Sequence, residues 1–124
     1  MRQKGFTLIE VLVALSLFAL VSAGMVPSFV LFLKYNRSAQ IKTEAALAAQ
    51  EILDEMRVED PSDMPDSGSD PAQTVASGDH DFEVTVSYCE NPAYCATDTK
   101  HLSIDVAYQG TTIYEVETVY TDLR

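Results

Sequence analysis

Two cysteines and two histidines are the residues most able to do redox or metal chemistry in this chain. Cys89 and Cys95 enclose five residues, Glu-Asn-Pro-Ala-Tyr, and such a pair in an exported domain is typical of a disulfide. Zinc is the alternative, with His80 or His101 as further ligands, but the two sulfurs lack a second closely spaced pair. The sequence therefore predicts a Cys89–Cys95 disulfide that fixes a short loop, and no metal.

Aspartates are concentrated in the segment 59–81, among Ser, Pro and Gly. Calcium takes hard oxygen ligands of this kind, so a calcium site is one interpretation. The aspartate spacing matches no EF-hand loop, and nothing in the pattern indicates that the carboxylates converge. We interpret 59–81 as a solvated acidic loop, and we expect His80, between two of the aspartates, to face solvent. The aspartates are Asp60, Asp63, Asp66, Asp70, Asp79 and Asp81.

No residue pattern typical of an enzyme is present in the sequence. It contains no Gly-rich phosphate loop and no Gly-x-Ser-x-Gly elbow, and two histidines are too few for a convincing triad. The formal net charge is −11, which argues against nucleic acid because phosphate contacts need a basic surface. We expect neither catalysis nor a cofactor, and no direct binding of nucleic acid.

An apolar run near the N-terminus decides the broad class. Residues 11–33 carry no charge, and as a helix they span roughly 34 Å, enough to cross a bilayer core. A secretory signal peptide is the alternative, since Arg2 and Lys4 precede the run and small residues occupy 22–24. The run is too long for that, so we predict a membrane helix with a cytoplasmic N-terminus. Residues 43–124 hold 18 acidic and three basic residues, which fits an exported C-terminal part.

Glu10 is the charged residue that begins this apolar segment. An ionised, unpaired carboxylate in a membrane helix costs a few kcal/mol. One interpretation places Glu10 at the interface, where the helix dipole favours negative charge. The other gives it a cation from a partner chain. Its position alone leaves both open.

The sequence of segment 2–15 is Arg-Gln-Lys-Gly-Phe-Thr-Leu-Ile-Glu-Val-Leu-Val-Ala-Leu. This segment resembles the class III signal of type IV pilins and type II secretion pseudopilins. The resemblance implies that a prepilin peptidase cuts between Gly5 and Phe6 and that Phe6 is then N-methylated. It also implies that Glu10 pairs with the Phe6 amine of a neighbouring subunit during assembly. The implied partners are other pilin or pseudopilin subunits, the peptidase and the inner-membrane assembly platform.

Gly24 and Pro27 also match the family, in which a proline at this depth kinks the anchor helix. Proline removes a backbone donor and clashes with the preceding turn, and glycine weakens the same region. The resemblance implies local melting of the helix in filaments. A simple kink in a membrane helix is the equal alternative.

The remaining pattern indicates an amphipathic helix followed by strands. Ile41, Ala45, Ala48, Ile52 and Met56 share one helical face, and Glu59-Asp60-Pro61 stops the helix. We expect the alanines at 39, 45, 46, 48 and 49 to allow close approach of neighbouring helices. Alternating apolar residues predict strands over 82–88, 102–108 and 113–120, with a tight turn at 109–110.

These elements predict an α+β fold, in which a long N-terminal helix packs on a small antiparallel β-sheet, as in pilins. The predicted segments are a leader (1–5), a transmembrane or filament-core helix (6–33), an amphipathic helix (34–58), the acidic loop (59–81) and a sheet with a disulfide loop (82–124).

Two functional classes follow from this organisation. The first is a structural, assembly-competent subunit, and residues 45–57 look like minor pilins of the V type and equally like minor pseudopilins of the I type. Such a subunit resides in the bacterial inner membrane, with a periplasmic C-terminal domain, and then in a pilus or pseudopilus. The second is a single-pass membrane-anchored binding module, which keeps its leader and does not depend on Glu10.

Overall fold

A computed structural model describes residues 5–121 of the chain. The chain divides into two compact units, residues 1–38 and residues 39–124. Arg2 and Lys4 of the predicted leader lie outside the described residues. One helix, α1 (Leu8–Met56), is the regular structure described in the first unit. The same helix continues into the second unit as its first element.

The second unit contains an antiparallel sheet of five strands. The strands are β1 (Gly68–Ser69), β2 (Gln73–Ser77), β3 (His80–Tyr88), β4 (Thr99–Tyr108) and β5 (Thr111–Thr121). β3 pairs with β1 and β2 along one edge and with β4 along the other, and β4 lies between β3 and β5. Short 3₁₀ turns occupy Pro61–Asp63 and Pro92–Tyr94.

The core of the second unit lies between the end of α1 and one face of the sheet. Alternate strand residues point to this face. The amphipathic stripe predicted on the helix is buried here, apart from Ile41, which is half-buried. This confirms the predicted α+β fold. The buried apolar residues are Ala45, Ala48, Ala49, Ile52, Met56, Met64, Val75, Phe82, Val84, Val86, Tyr88, Leu102, Ile104 and Val106.

The acidic segment 59–81 is not the loop that the sequence predicts. It contains β1 and β2, and β2 pairs with five consecutive residues of β3 across a turn at 78–79. Only Val75 of β2 is buried, so the strand offers no alternation of apolar and polar residues. Cross-strand pairing with β3 provides the order that composition alone does not indicate.

The alanines of α1 also differ from the expectation. Ala45, Ala48 and Ala49 are buried against their own sheet, so they are not available to neighbouring helices. Ala39 is exposed and Ala46 is half-buried. The small side chains let the sheet approach α1 closely, which is a packing role within one chain.

Candidate functional site

The bond between Gly5 and Phe6 lies just before α1 in backbone that belongs to no helix or strand. Phe6 is 83 % exposed. The helical hydrogen bonds begin immediately afterwards, because the N–H groups of Glu10 and Val11 donate to the carbonyl of Thr7 at 3.1 and 3.2 Å. A peptidase needs an accessible bond outside regular structure, and this bond meets both conditions.

Glu10 lies in the first turn of α1 and is exposed. Within residues 5–121, no cation lies within ion-pair distance of its carboxylate. The first-turn position is favourable for a negative charge because the helix dipole points its positive end there. The carboxylate is therefore tolerated at this end of the helix.

The first unit presents an uncovered apolar surface. By length and composition α1 can cross a membrane, and no part of its most apolar 18-residue window is buried. Large apolar side chains from Phe6 to Tyr35 are about half to four-fifths exposed. Water is a poor solvent for a surface of this extent, so lipid or other apolar helices must cover it. The motif and the apolar helix thus fit membrane anchoring.

Gly24 and Pro27 lie inside α1, and the helix continues through both. Pro27 has no N–H for the carbonyl four residues earlier. The nearby Ser28 Oγ donates to a different carbonyl, that of Gly24, at 2.9 Å. The kink or local melting at this point stays a prediction.

The prokaryotic N-terminal methylation motif, as a family model, matches residues 1–26. The chain carries the class III signal of type IV pilins and pseudopilins. The matched range includes Gly5, Phe6, Glu10 and Gly24, while Pro27 follows it directly. No match was found among curated proteins or among solved structures. The class III signal implies processing by prepilin peptidase and assembly with other pilin subunits.

The second unit contains a polar contact that the sequence did not reveal. Glu44 on α1 is buried, and its carboxylate accepts a hydrogen bond from Gln40 Nε2 at 2.8 Å. His80 Nδ1 lies 2.6 Å from the other carboxylate oxygen. The His80 side chain is only 17 % exposed, so the prediction that His80 faces solvent is wrong. The His80 ring instead contacts the Glu44 carboxylate and the Tyr108 ring. The centroids of the two rings lie 5.2 Å apart.

The same carboxylate holds the turn between β2 and β3. The backbone of Asp79 also helps to lower the pKa of Glu44, less than the hydrogen bonds from His80 and Gln40 do. Gly78 has φ +62°, and a Cβ there would lie 2.5 Å from Cδ of Glu44. Only glycine accommodates both the left-handed backbone and the close carboxylate. Glu44 therefore fastens the β2–β3 turn to the helix, across 36 residues of sequence.

Acid is expected to release this contact. The hydrogen bonds from His80 and then Gln40 hold the pKa of Glu44 below its ordinary value of 4.5, against the opposing effect of desolvation. A lowered folded-state pKa adds stability above the unfolded pKa, and that stability is lost as pH falls through the folded pKa. At pH 7 the wild type should be more stable than a Glu44→Gln variant, and the difference should shrink as pH falls through the lowered pKa of Glu44.

The measurement is urea unfolding of both proteins at a series of pH values from 7 to 3. Comparing two chains cancels the titration of the other carboxylates. A difference in unfolding free energy that does not change with pH would contradict the role of the Glu44 charge.

The predicted disulfide joins Cys89 and Cys95, with a Cα–Cα distance of 5.8 Å, which confirms that prediction. Asn91 caps the turn between them by accepting from the Ala93 N–H at 3.2 Å. The loop is also tied to β4, because the N–H of Cys89 donates to the His101 carbonyl at 2.8 Å. The loop is therefore a fixed part of the sheet.

Removing the disulfide should lower the stability of the second unit by about 2 kcal/mol, from the entropy of closing a loop of this length. We expect a Cys89→Ser/Cys95→Ser variant to unfold roughly 10 °C below the oxidised wild type. Thermal unfolding in detergent measures this, with reduced wild type as the control that should match the variant. An unchanged midpoint would show that strand pairing alone fixes the loop.

Three aspartates of 59–81 have separate partners. Asp60 caps the turn Pro61–Asp63, Asp66 pairs with Lys100, and Asp70 accepts from the Tyr88 hydroxyl at 2.6 Å. Burial, and then this hydrogen bond, raise the pKa of Tyr88. In the part of the chain that the structure describes, no three His, Cys, Asp or Glu side chains are grouped to hold a metal ion.

Proposed function

We propose that this protein is a structural subunit, of the minor class, of a type IV pilus or a closely related filament. The observation that carries the proposal is the class III signal joined to a helix whose apolar surface its own described chain leaves uncovered. A bilayer covers such a surface before assembly, and a bundle of like helices covers it afterwards. Van der Waals packing replaces lipid contacts at little cost.

Charge pairing gives the assembly its direction. Cleavage after Gly5 creates an ammonium group on Phe6, and methylation keeps that charge. In apolar surroundings an isolated ammonium or carboxylate is expensive, whereas the pair neutralises itself. We take the Phe6 ammonium of a neighbouring subunit as the partner of Glu10, which has no cation of its own among residues 5–121.

The proposed topology places the N-terminus in the cytoplasm and the second unit in the periplasm. The basic residues before the apolar run support this orientation, and a disulfide is typical of an oxidising compartment. Before assembly the subunit lies in the inner membrane, where prepilin peptidase and the assembly platform act on it.

A minor pseudopilin of the I type is the second candidate function. The small size of the second unit, residues 39–124, favours it. Deletion of the gene separates the two: loss of surface filaments supports a pilus subunit, and loss of protein secretion with normal pili supports a pseudopilin.

The direct test is the intact mass of the protein purified from its native membrane. A mass that lacks residues 1–5 and carries one added methyl group supports the proposal. A Gly5→Val variant is the matched control, because a β-branched residue at the cut site should leave the leader in place. A full-length, unmethylated wild type would instead support a single-pass anchored binding module.

A further inference from the structure

The sheet face that points away from α1 carries an unusual patch beside the disulfide loop. We define the outer patch as Tyr94, His101, Asp105, Glu115, Glu117 and Val119. The last five alternate along β4 and β5 on the face opposite the buried Leu102 and Ile104 and the half-buried Val116. Tyr94 reaches this face from the loop, since its ring stacks on His101 with centroids 6.4 Å apart.

The centre of the outer patch is apolar and open. Val119 lies directly opposite His101 in the β4–β5 register, and Tyr94 lies over the same histidine. Tyr94 is 55 % exposed and Val119 is 43 % exposed. Both therefore present apolar surface at one place, and an exposed aromatic side chain that a partner can bury is typical of the anchor of a protein interface.

The rim of the outer patch is acidic and lacks counter-charges. Asp105 lies directly opposite Glu115 across the two strands, and like charges in this position destabilise a sheet. Neither carboxylate has an ion-pair partner within residues 5–121. Glu117 has only His101, whose Nε2 lies 3.6 Å from its carboxylate. The repulsion persists in the free chain and would be relieved by external cations.

Two buried polar atoms on the same face add an independent sign of a missing partner. His101 Nδ1 and Ser103 Oγ have no hydrogen-bond partner among the described residues, although His101 is 3 % and Ser103 is 1 % exposed. Ser103 lies directly opposite Glu117. Unsatisfied buried polar groups cost stability, and both occur next to the acidic rim and the apolar centre.

We propose that the outer patch is the docking surface for a different subunit of the same filament, one that presents an apolar side chain flanked by lysine or arginine. The choice of occupant follows from the charges. A second copy of this chain would bring the same acidic face, and residues 43–124 hold only three basic residues against 18 acidic ones. Like-charged faces repel, whereas a basic partner neutralises the rim. The proposal rests on the proposed function for the nature of the partner.

The test is site-specific photo-crosslinking in living cells of the native organism. A photoreactive phenylalanine analogue replaces Val119 in the full chain, and Thr111 at the other end of β5 is the matched control position, roughly 26 Å away along the strand. We expect an adduct from position 119, absent from 111, whose crosslinked peptide belongs to another filament subunit and contains lysine or arginine beside the attachment point.

Charge reversal tests the rim. Glu115→Lys/Glu117→Lys should reduce the adduct roughly tenfold, since like-charge contacts across an interface are strongly unfavourable. Asp81→Lys/Glu83→Lys is the matched control, because it changes two exposed carboxylates on the same face of β3 and should leave the adduct intact. A self-adduct, a lipid adduct, no adduct, or equal loss in both double variants would overturn the proposal.

A measurement of thermal stability distinguishes a variant that no longer docks from one that no longer folds. Glu115→Gln removes the repulsion with Asp105, so its thermal midpoint should rise by a few degrees while its adduct declines. The intact mass of the same samples reports leader removal. A cleaved, methylated chain that enters filaments without the adduct would overturn the docking surface alone, and an uncut chain would overturn the proposed function.

Discussion

A Glu10→Val chain is expected to be cut and methylated like the wild type and to be missing from sheared filaments. The cut site before α1 is unchanged by the substitution. In the proposed filament, however, the Phe6 ammonium of the neighbouring subunit would lose its counter-charge. Breaking a buried ion pair costs about 3–5 kcal/mol, so incorporation should decline at least roughly a hundredfold.

The measurement compares the sheared fraction with the membrane fraction by immunoblot, after intact mass has established processing in each. Glu51→Val is the matched control, because Glu51 is an exposed carboxylate of the same helix in the second unit. Normal incorporation of the Glu10 variant would mean that the carboxylate lies at the membrane interface without a cationic partner, as the helix dipole alone allows.

A Phe82→Ala chain is expected to lose the fold of the second unit while its leader is removed normally. Phe82 is fully buried in the core. It faces Val75 across β2 and β3, and its ring lies 5.6 Å from the Tyr108 ring. Truncating a buried phenylalanine costs about 3–5 kcal/mol, a large part of the roughly 5–15 kcal/mol that stabilises a domain.

Proteolysis of detergent-solubilised full-length protein over a urea series measures this loss. Phe29→Ala is the matched control, because Phe29 is 62 % exposed in the first unit and should leave the urea midpoint unchanged. The two substitutions, at Glu10 and Phe82, should thus separate assembly from folding. A Phe82 variant with the wild-type midpoint would contradict the central place of this ring in the core.

The sequence predicted most of the fold because its periodicities are strong. The apolar stripe on α1 and the alternation along β3, β4 and β5 each repeat several times. β2 was missed because one buried valine among Gln, Thr, Ala and Ser produces no pattern. Its pairing depends on β3, which is a tertiary contact that local propensity does not report.

The polar contacts of the second unit were beyond local reasoning for the same reason. In the sequence, nothing distinguishes Glu44 from an exposed carboxylate on a helix. His80 has acidic neighbours that are typical of a solvated turn. Their meeting depends on how the helix lies on the sheet. One signal was available in the sequence. The dipeptide Gly78-Asp79 is typical of a tight hairpin turn when strand residues flank it on both sides. The N-terminal residues Gly5, Phe6 and Glu10 could be proposed from the sequence alone, because a linear signal needs no tertiary structure.

The strand order also bears on how quickly the second unit can form. β2, β3 and β4 each pair with the next strand along the chain, and the intervening connections are two, ten and two residues long. Contacts between nearby residues give a low relative contact order, which is associated with rapid folding. The sheet can therefore form early in folding, from contacts between strands that are neighbours in the sequence. A sheet built this way spends little time with its strand edges open, which limits the time in which those edges can start aggregation.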